Sequence, residues 1–76
     1  MDRLTNRLKE LRARHDLTQE QLGWAVGVTR QTILAIERGD YSPSVHLALR
    51  IARRLETSLE EVFWLEPGSD RLGEER

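Results

Sequence analysis

The stretch Thr18–Arg38, TQEQLGWAVGVTRQTILAIER, carries two helix starts and one tight turn within a short span. Thr18 is followed three residues later by Gln21, which is the spacing of a capping box at the start of a helix. Gly27 stands where a helix ends in a left-handed residue, a conformation that glycine adopts at little cost. Between them, apolar residues recur at the spacing of one helix face, namely Leu22, Ala25 and Val26.

A second helix is predicted directly after this turn. Val28 should point inward, and Thr29 is a suitable cap for a helix over residues 29–37 whose buried face contains Ile33 and Ile36. Two short helices joined through a glycine turn form a helix-turn-helix. The second helix of such a unit can enter the major groove of DNA.

Length and composition predict one small domain. The chain has 76 residues, of which 38% are hydrophobic, and this is enough apolar material for a folded core. It contains no cysteine, so neither a disulfide nor a thiolate metal site is available. The sequence contains no signal peptide and no apolar run long enough to span a bilayer. We therefore expect a soluble cytoplasmic protein with no membrane partner.

The charge is unevenly distributed along the chain. Residues 1–54 contain 10 Lys and Arg against 6 Asp and Glu, a balance of +4, whereas residues 55–76 contain 2 against 7, a balance of −5. Their sum is the net charge of −1. Phosphate contact needs local positive potential rather than a positive total, so the balance is compatible with a nucleic-acid partner. Runs of charged residues are usually solvated surface, so the uneven charge supports a nucleic-acid partner only weakly.

The remaining pattern adds three helices and no strand. The predicted ranges are residues 2–14 with Asp2 as cap, residues 44–55, and a short helix that begins at Ser58 and stops before Pro67. Ser58 and Glu61 have the spacing of a second capping box. We therefore predict an all-α domain of five helices over residues 1–66, with a helix-turn-helix core at 18–38, followed by a polar tail over residues 67–76.

The run LTQEQL…VGVTRQTI..IERG.YSPS…AL.IA..L..SLEEVF resembles the phage-repressor and Cro-type helix-turn-helix proteins, specifically the small single-domain bacterial regulators. The resemblance implies a lambda-repressor-like fold of five helices and a homodimer. The dimer would set two third helices into successive major grooves of palindromic double-stranded DNA. It also implies control of transcription, usually by repression.

The resemblance places the base-reading residues in the first turn of the third helix. Arg30 can contact O6 and N7 of guanine, and Gln31 can contact N6 and N7 of adenine. Thr32 can bring a methyl group to thymine, whereas Leu34 and Ala35 offer only apolar contact where relatives often carry polar residues. The alternative is that these residues are the ordinary polar face of an amphipathic helix.

Phosphate contacts are expected on both sides of that helix. The resemblance assigns one to Gln19 at the start of the second helix, and Thr29 can add another although it is also needed as a cap. Arg38, Tyr41 and Ser42 flank the loop after the third helix and are candidates on its other side. Gln19 could instead be a solvent-exposed first-turn residue, and Tyr41 could simply cover the loop.

The resemblance also implies a structural ion pair between Arg12 of the first helix and Glu37 of the third. We expect a bidentate, partly buried pair that fixes the angle between the two helices. Removing one partner should therefore cost more than the loss of a surface ion pair.

Four apolar residues exceed what the inward faces of the last two helices require. We interpret them as a dimer contact in which Trp64 is the anchor, although scattered exposed leucines need no explanation. The four residues are Leu47, Leu49, Leu59 and Trp64.

Three residues depart from the family pattern. Relatives usually carry alanine at Gly23, a polar residue at Trp24, and often glycine at Glu56, so a strained or extended helix end is expected at Glu56. Trp24 could stack near a phosphate, anchor a protein partner or cover a gap in the core, and the last is our first interpretation.

No catalytic or metal-binding arrangement is recognisable. His15 and His46 lack partner ligands at metal-binding spacing, and the serines read as turn or cap residues. We expect no enzyme, no cofactor and no small-molecule substrate. The alternative function is a protein-interaction module, such as an antitoxin that holds a partner protein through Trp24, Trp64 and the acidic tail and binds its own promoter.

Overall fold

The computed structural model describes residues 2–67, which include all of the predicted helices. The predicted polar tail over residues 67–76 lies outside the described residues except for Pro67. The elements in chain order are β1 (Arg3–Asn6), α1 (Leu8–Arg14), α2 (Gln19–Val26), α3 (Arg30–Arg38), α4 (Val45–Arg54), α5 (Leu59–Val62) and β2 (Phe63–Glu66).

The two helices of the Thr18–Arg38 stretch begin and end as their sequence predicts. Thr18 Oγ1 accepts a hydrogen bond from the Gln21 N–H at 3.0 Å, and Gln21 Oε1 accepts one from the Thr18 N–H at 2.9 Å. Gly27 ends α2 at φ +85°, in the left-handed region. Thr29 then caps α3 by accepting from the Thr32 N–H at 3.3 Å. The capping box, the glycine turn and the second cap are all confirmed.

The core lies between the helices and is apolar. Leu22 and Val26 of α2 pack with Ile33 and Ile36 of α3 over the inner face of α4. The most deeply buried side chains are Leu8, Leu22, Ile33, Ile36, Ile51, Leu55 and Val62. Burial of a side chain of this size stabilises the fold by about 1.5–3 kcal/mol, so packing in this cluster supplies most of the free energy that holds α3 in place.

The prediction that the first helix covers residues 2–14 is wrong. Residues Arg3–Asn6 form a strand, and the helix begins only at Leu8. Just before the N-cap residue Arg7, the Asn6 side chain accepts a hydrogen bond from the Leu8 N–H at 2.9 Å, a bond typical of an Asx turn. Leu4 lies on the strand and is exposed.

The fifth helix is shorter than expected, and the prediction of an all-α fold needs correction. α5 ends at Val62, and β2 runs antiparallel to β1, with Leu4 opposite Leu65 and Thr5 opposite Trp64. The Ser58 side chain makes no capping bond. The fold is mostly helical, with a two-stranded sheet that joins the two ends of the domain. No helix within residues 2–67 is long and apolar enough to cross a membrane.

Glu56 has the strained helix end that its departure from the family pattern predicts. It follows α4 at φ +57°, where the Glu56 N–H donates to Arg53 O and the Thr57 N–H donates to Ala52 O. This is the Schellman pattern, which favours glycine at the left-handed position.

Glu56→Gly should raise the free energy of unfolding by about 0.5–1 kcal/mol. The left-handed conformation costs an L-residue about 1–2 kcal/mol, and part of the gain is offset by the greater freedom of glycine in the unfolded chain. Urea denaturation measures the change. Glu56→Ala is the matched control, because it removes the carboxylate and keeps the strained Cβ. Equal stabilisation by both variants would assign the effect to charge instead.

Candidate nucleic-acid interface

The start of α3 presents polar side chains to solvent while the opposite face of the helix is buried. Arg30 and Gln31 are exposed, and Ile33 and Ile36 of the same helix lie in the core. Within residues 2–67, neither the Arg30 guanidinium nor the Gln31 amide hydrogen bonds to another side chain or to the backbone. Both groups are therefore available to a ligand that approaches this end of the helix.

Two hydroxyl groups lie side by side at the same end of α3. Thr29 Oγ1 and Thr32 Oγ1 are 3.2 Å apart, so one hydroxyl donates to the other. The hydroxyl that accepts keeps its own hydrogen, which leaves one donor directed away from the pair. This arrangement suits an acceptor such as a phosphate oxygen.

Leu34 and Ala35 occupy a less accessible part of α3. Both are only partly exposed, between the buried Ile33 and Ile36. Contact with a ligand would here be apolar and limited, so polar recognition is concentrated at the start of the helix.

A partly buried network lies beneath this surface at the other end of α3. Arg12 Nε donates to Glu37 Oε2 at 2.8 Å, and the two side chains are only 14% and 6% exposed. Arg12 Nη1 donates to the Leu17 carbonyl at 2.7 Å instead of to the carboxylate. The pair therefore has a single direct contact rather than the expected bidentate one. The second carboxylate oxygen accepts from Gln19 Nε2 at 3.1 Å.

Gln19 thus joins the network that was expected for the ion pair alone. One N–H of the Gln19 amide donates to Glu37, and the second N–H can donate to another acceptor. Arg38, Tyr41 and Ser42 are all exposed around the loop that follows α3. All three are therefore accessible to a ligand.

Trp24 is not a cover for the core. Its side chain is 86% exposed on α2, which makes our first interpretation of this residue wrong. Leu22 and Val26 face the core. Trp24 lies two residues from each of them, about half a helical turn, and therefore points to the opposite side of α2. The neighbouring Gly23 is buried against the next turn, where an added Cβ would stand 2.7 Å from the Val28 carbonyl oxygen.

The four residues expected at a dimer contact do not share one environment. Leu47 is 8% exposed and belongs to the core, so the expectation that it is surplus to the inward faces is wrong. Leu49 is exposed, Leu59 packs partly against the core, and Trp64 is partly buried with the Arg7 guanidinium 4.9 Å above its ring. Sequence reasoning missed the other exposed apolar residues here, which are Leu4, Val45 and Leu65.

Asn6 was also missed as a residue that connects two helices. Its side-chain Nδ2 donates to the Ile36 carbonyl of α3 at 3.0 Å, while its Oδ1 accepts from the Leu8 N–H at the start of α1 at 2.9 Å. Asparagine often bonds to the backbone two residues further on, and this tendency could have revealed the second contact. No cluster of three or more His, Asp or Glu side chains able to hold a metal ion occurs within the described part of the chain.

Arg12→Met should lower the free energy of unfolding by about 2–4 kcal/mol. The substitution keeps an unbranched apolar side chain but leaves the Glu37 carboxylate partly buried without its cation. Arg14→Met is the matched control, because Arg14 pairs with Glu10 on the exposed side of the same helix, and its loss should cost less than about 1 kcal/mol. Urea denaturation compares the two. Equal losses of unfolding free energy would show that the Arg12–Glu37 pair contributes no more to stability than a surface ion pair.

Comparison with known proteins agrees with this geometry. The sequence profile of the helix-turn-helix family matches residues 8–62. The chain is 57% identical over 63 residues to the HTH-type transcriptional regulator YgzD of Bacillus subtilis, and the match covers 83% of this chain and 96% of that relative. An HTH-type transcriptional regulator of Methanocaldococcus jannaschii is 50% identical over 60 residues, which cover 79% of this chain and 91% of the relative.

Solved structures with the same fold include two regulators. The restriction-modification controller protein of Aeromonas hydrophila has a TM-score of 0.68 at 34% identity, covering 72% of this chain and 83% of the other. The P22 c2 repressor, solved in complex with a synthetic operator, has a TM-score of 0.69 at 28% identity, covering 71% of this chain and 82% of the other. The resemblance seen in the sequence is confirmed, and the chain belongs to the helix-turn-helix family of Cro/repressor-like regulators.

Proposed function

We propose that the protein is a transcriptional regulator that binds a specific palindromic site in double-stranded DNA as a homodimer and represses the promoter it occupies. The observation that carries this proposal is the start of α3, where Arg30 and Gln31 are exposed and uncommitted while Ile33 and Ile36 hold the opposite face in the core. A rigid helix with donors at its exposed end suits insertion into a major groove.

Sequence would be read chiefly by the first turn of α3. Arg30 supplies two parallel donors for O6 and N7 of guanine, and Gln31 supplies a donor and an acceptor for the N7 and N6 groups of adenine. Thr32, Leu34 and Ala35 would contribute apolar contact, for instance to the methyl group of thymine.

Affinity would come from phosphate contacts on both sides of that helix. Gln19, held in place by its hydrogen bond to Glu37, and Thr29 would supply contacts on one side. Arg38, Tyr41 and Ser42 would supply contacts on the other side, around the loop that follows α3. Such contacts fix the register of a protein on the duplex without reading its sequence.

A second copy of the chain would pack on an apolar groove beside that loop. The groove has a volume of about 230 Å³, and its lining is apolar apart from Glu60: Leu4, Pro43, Val45, Ala48, Leu59, Phe63, Trp64 and Leu65. Val45 and Leu65 are 71% and 62% exposed, which is unusual for two aliphatic residues that line one groove. Pro43 continues the loop that carries Tyr41 and Ser42, so the dimer contact would lie next to candidate phosphate contacts.

Repression is the simplest consequence of such binding, because a dimer that occupies a promoter excludes other proteins from it. The relatives compared above are named as regulators and repressors, and they do not favour the alternative of an antitoxin.

Selection from a random duplex library, followed by salt titration, tests the proposal. The expected result is a palindromic sequence that is bound at least about a thousandfold more tightly than random DNA, with affinity that falls as salt rises. Equal binding to all sequences would contradict it.

Arg30→Ala should lose about 1–3 kcal/mol on the selected site and relax base preference at one position in each half-site. Arg38→Ala is the matched control, because a lost phosphate contact should weaken binding to all sequences alike and reduce the salt slope by about one. Competition binding with single-base variants of the site separates the two outcomes. A uniform loss for Arg30→Ala would rule out its role in reading bases.

Val45→Glu should convert the dimer to a monomer and weaken binding to the full palindrome, since a carboxylate would enter the apolar groove. Trp24→Glu is the matched control, because it makes the same type of change at an exposed apolar residue outside the groove. Sedimentation equilibrium measures the mass, and circular dichroism checks the fold. A Val45→Glu protein that remains dimeric would place the interface elsewhere.

A further inference from the structure

Asn6 connects the first strand and first helix to the end of the recognition helix α3. Its Nδ2 donates to the Ile36 carbonyl at 3.0 Å, and its Oδ1 accepts from the Leu8 N–H at 2.9 Å. The residue is partly buried, and its own strand is anchored by antiparallel pairing with β2, where Asn6 is opposite Phe63. One side chain therefore joins three elements.

The chemistry of these contacts allows only one orientation of the amide. If the oxygen and nitrogen of Asn6 were exchanged, the nitrogen would face the Leu8 N–H and the oxygen would face the Ile36 carbonyl. Both contacts would then be repulsive. The residue must supply a donor toward α3 and an acceptor toward α1 at the same time, and the amide of asparagine carries both groups.

The Ile36 carbonyl belongs to the last turn of α3, where carbonyl groups lack partners within the helix. It accepts from the Gly39 N–H at 3.0 Å as well as from Asn6, so both of its lone pairs are used. The Gly39 N–H and the Asp40 N–H, which donates to Ala35 O, together form the helix end from which the following loop departs. Asn6 thus acts on the backbone at the point that sets the direction of the loop carrying Tyr41 and Ser42.

Glu37, the residue after Ile36, makes a second contact that holds α3, because its side chain binds Arg12. A single contact would leave the helix able to rotate about it, whereas one contact to the backbone and one to a side chain, made from different parts of the N-terminal region, restrict that rotation. Arg30 is six residues away, or about 9 Å along the helix axis, so a small tilt at this end displaces its guanidinium.

We propose that Asn6 is a positioning residue for DNA recognition: it fixes the end of α3 and the following loop so that base and phosphate contacts are made together. The proposal rests on the proposed function, since it assigns Asn6 to the same DNA-binding surface. Asn6 itself need not touch DNA.

Asn6→Asp isolates the contact to α3. One carboxylate oxygen can still accept from the Leu8 N–H, and a negative charge suits the start of α1, so the contact to α1 is kept. The other oxygen would replace the donor to Ile36 and repel its carbonyl. Ala52→Gly serves as the stability control, because it weakens the interior of α4 and removes none of the hydrogen bonds of Asn6.

Two measurements on the full chain test the proposal. In the protein without DNA, hydrogen exchange should accelerate for the Gly39 and Asp40 amides in Asn6→Asp and remain unchanged for the Leu22 and Val26 amides of α2. With the selected duplex and a random duplex, the ratio of the two affinities should fall by about tenfold in Asn6→Asp, which is comparable to the loss of one base contact. Ala52→Gly should lower the Tm and leave that ratio unchanged.

The outcomes separate this proposal from the proposed function. Unchanged exchange at Gly39 and Asp40, or an affinity ratio equal to that of the wild type, would overturn the role of Asn6. A fall in the ratio of the same size in Ala52→Gly would also overturn it, because stability alone would then explain the effect. Wild-type protein that prefers no duplex would refute the proposed function itself.

Discussion

The carboxylate of Glu37 is the point on which the geometry of the helix-turn-helix depends. It accepts from Arg12 of α1 through one oxygen and from Gln19 of α2 through the other, so a single side chain near the end of α3 holds both preceding helices. The group is almost completely shielded from water, and such a charge is tolerated only with partners that satisfy it. Apolar packing brings the three helices together, and this network adds hydrogen bonds from α3 to both α1 and α2.

Local signals explain why the Thr18–Arg38 stretch was predicted well. A cap and a left-handed glycine act within four or five residues, so the sequence near Thr18, Gly27 and Thr29 contains all the information that decides these boundaries. The two strands could not be predicted in this way. Their pairing joins Arg3 to Glu66, and neither segment shows the alternating pattern of a strand without its partner.

The apolar periodicity of the sequence also could not decide which apolar side chains are exposed. Leu47 and Leu49 lie two residues apart on α4, yet one is in the core and the other is exposed, because the boundary depends on how α4 rests on its neighbours. For Trp24, the interpretation as a cover for the core conflicts with its position opposite Leu22 and Val26, and the structure shows that the side chain is exposed. The DNA-contacting roles were assigned from family resemblance and are not decided by these contacts.

The distribution of hydrogen bonds along α3 is itself informative. At its C-terminal end, Ile36 and Glu37 are held by Asn6, Arg12 and Gln19, whereas Arg30 and Gln31 at the other end have no such contacts within residues 2–67. A side chain already bonded within the protein must give up that bond before it can bind a ligand, and this lowers affinity. Because the C-terminal end of α3 is held in place, the start of the helix keeps its position although Arg30 and Gln31 make no such hydrogen bonds there. This division suits a helix that must read bases at one end, because its orientation is set before DNA arrives.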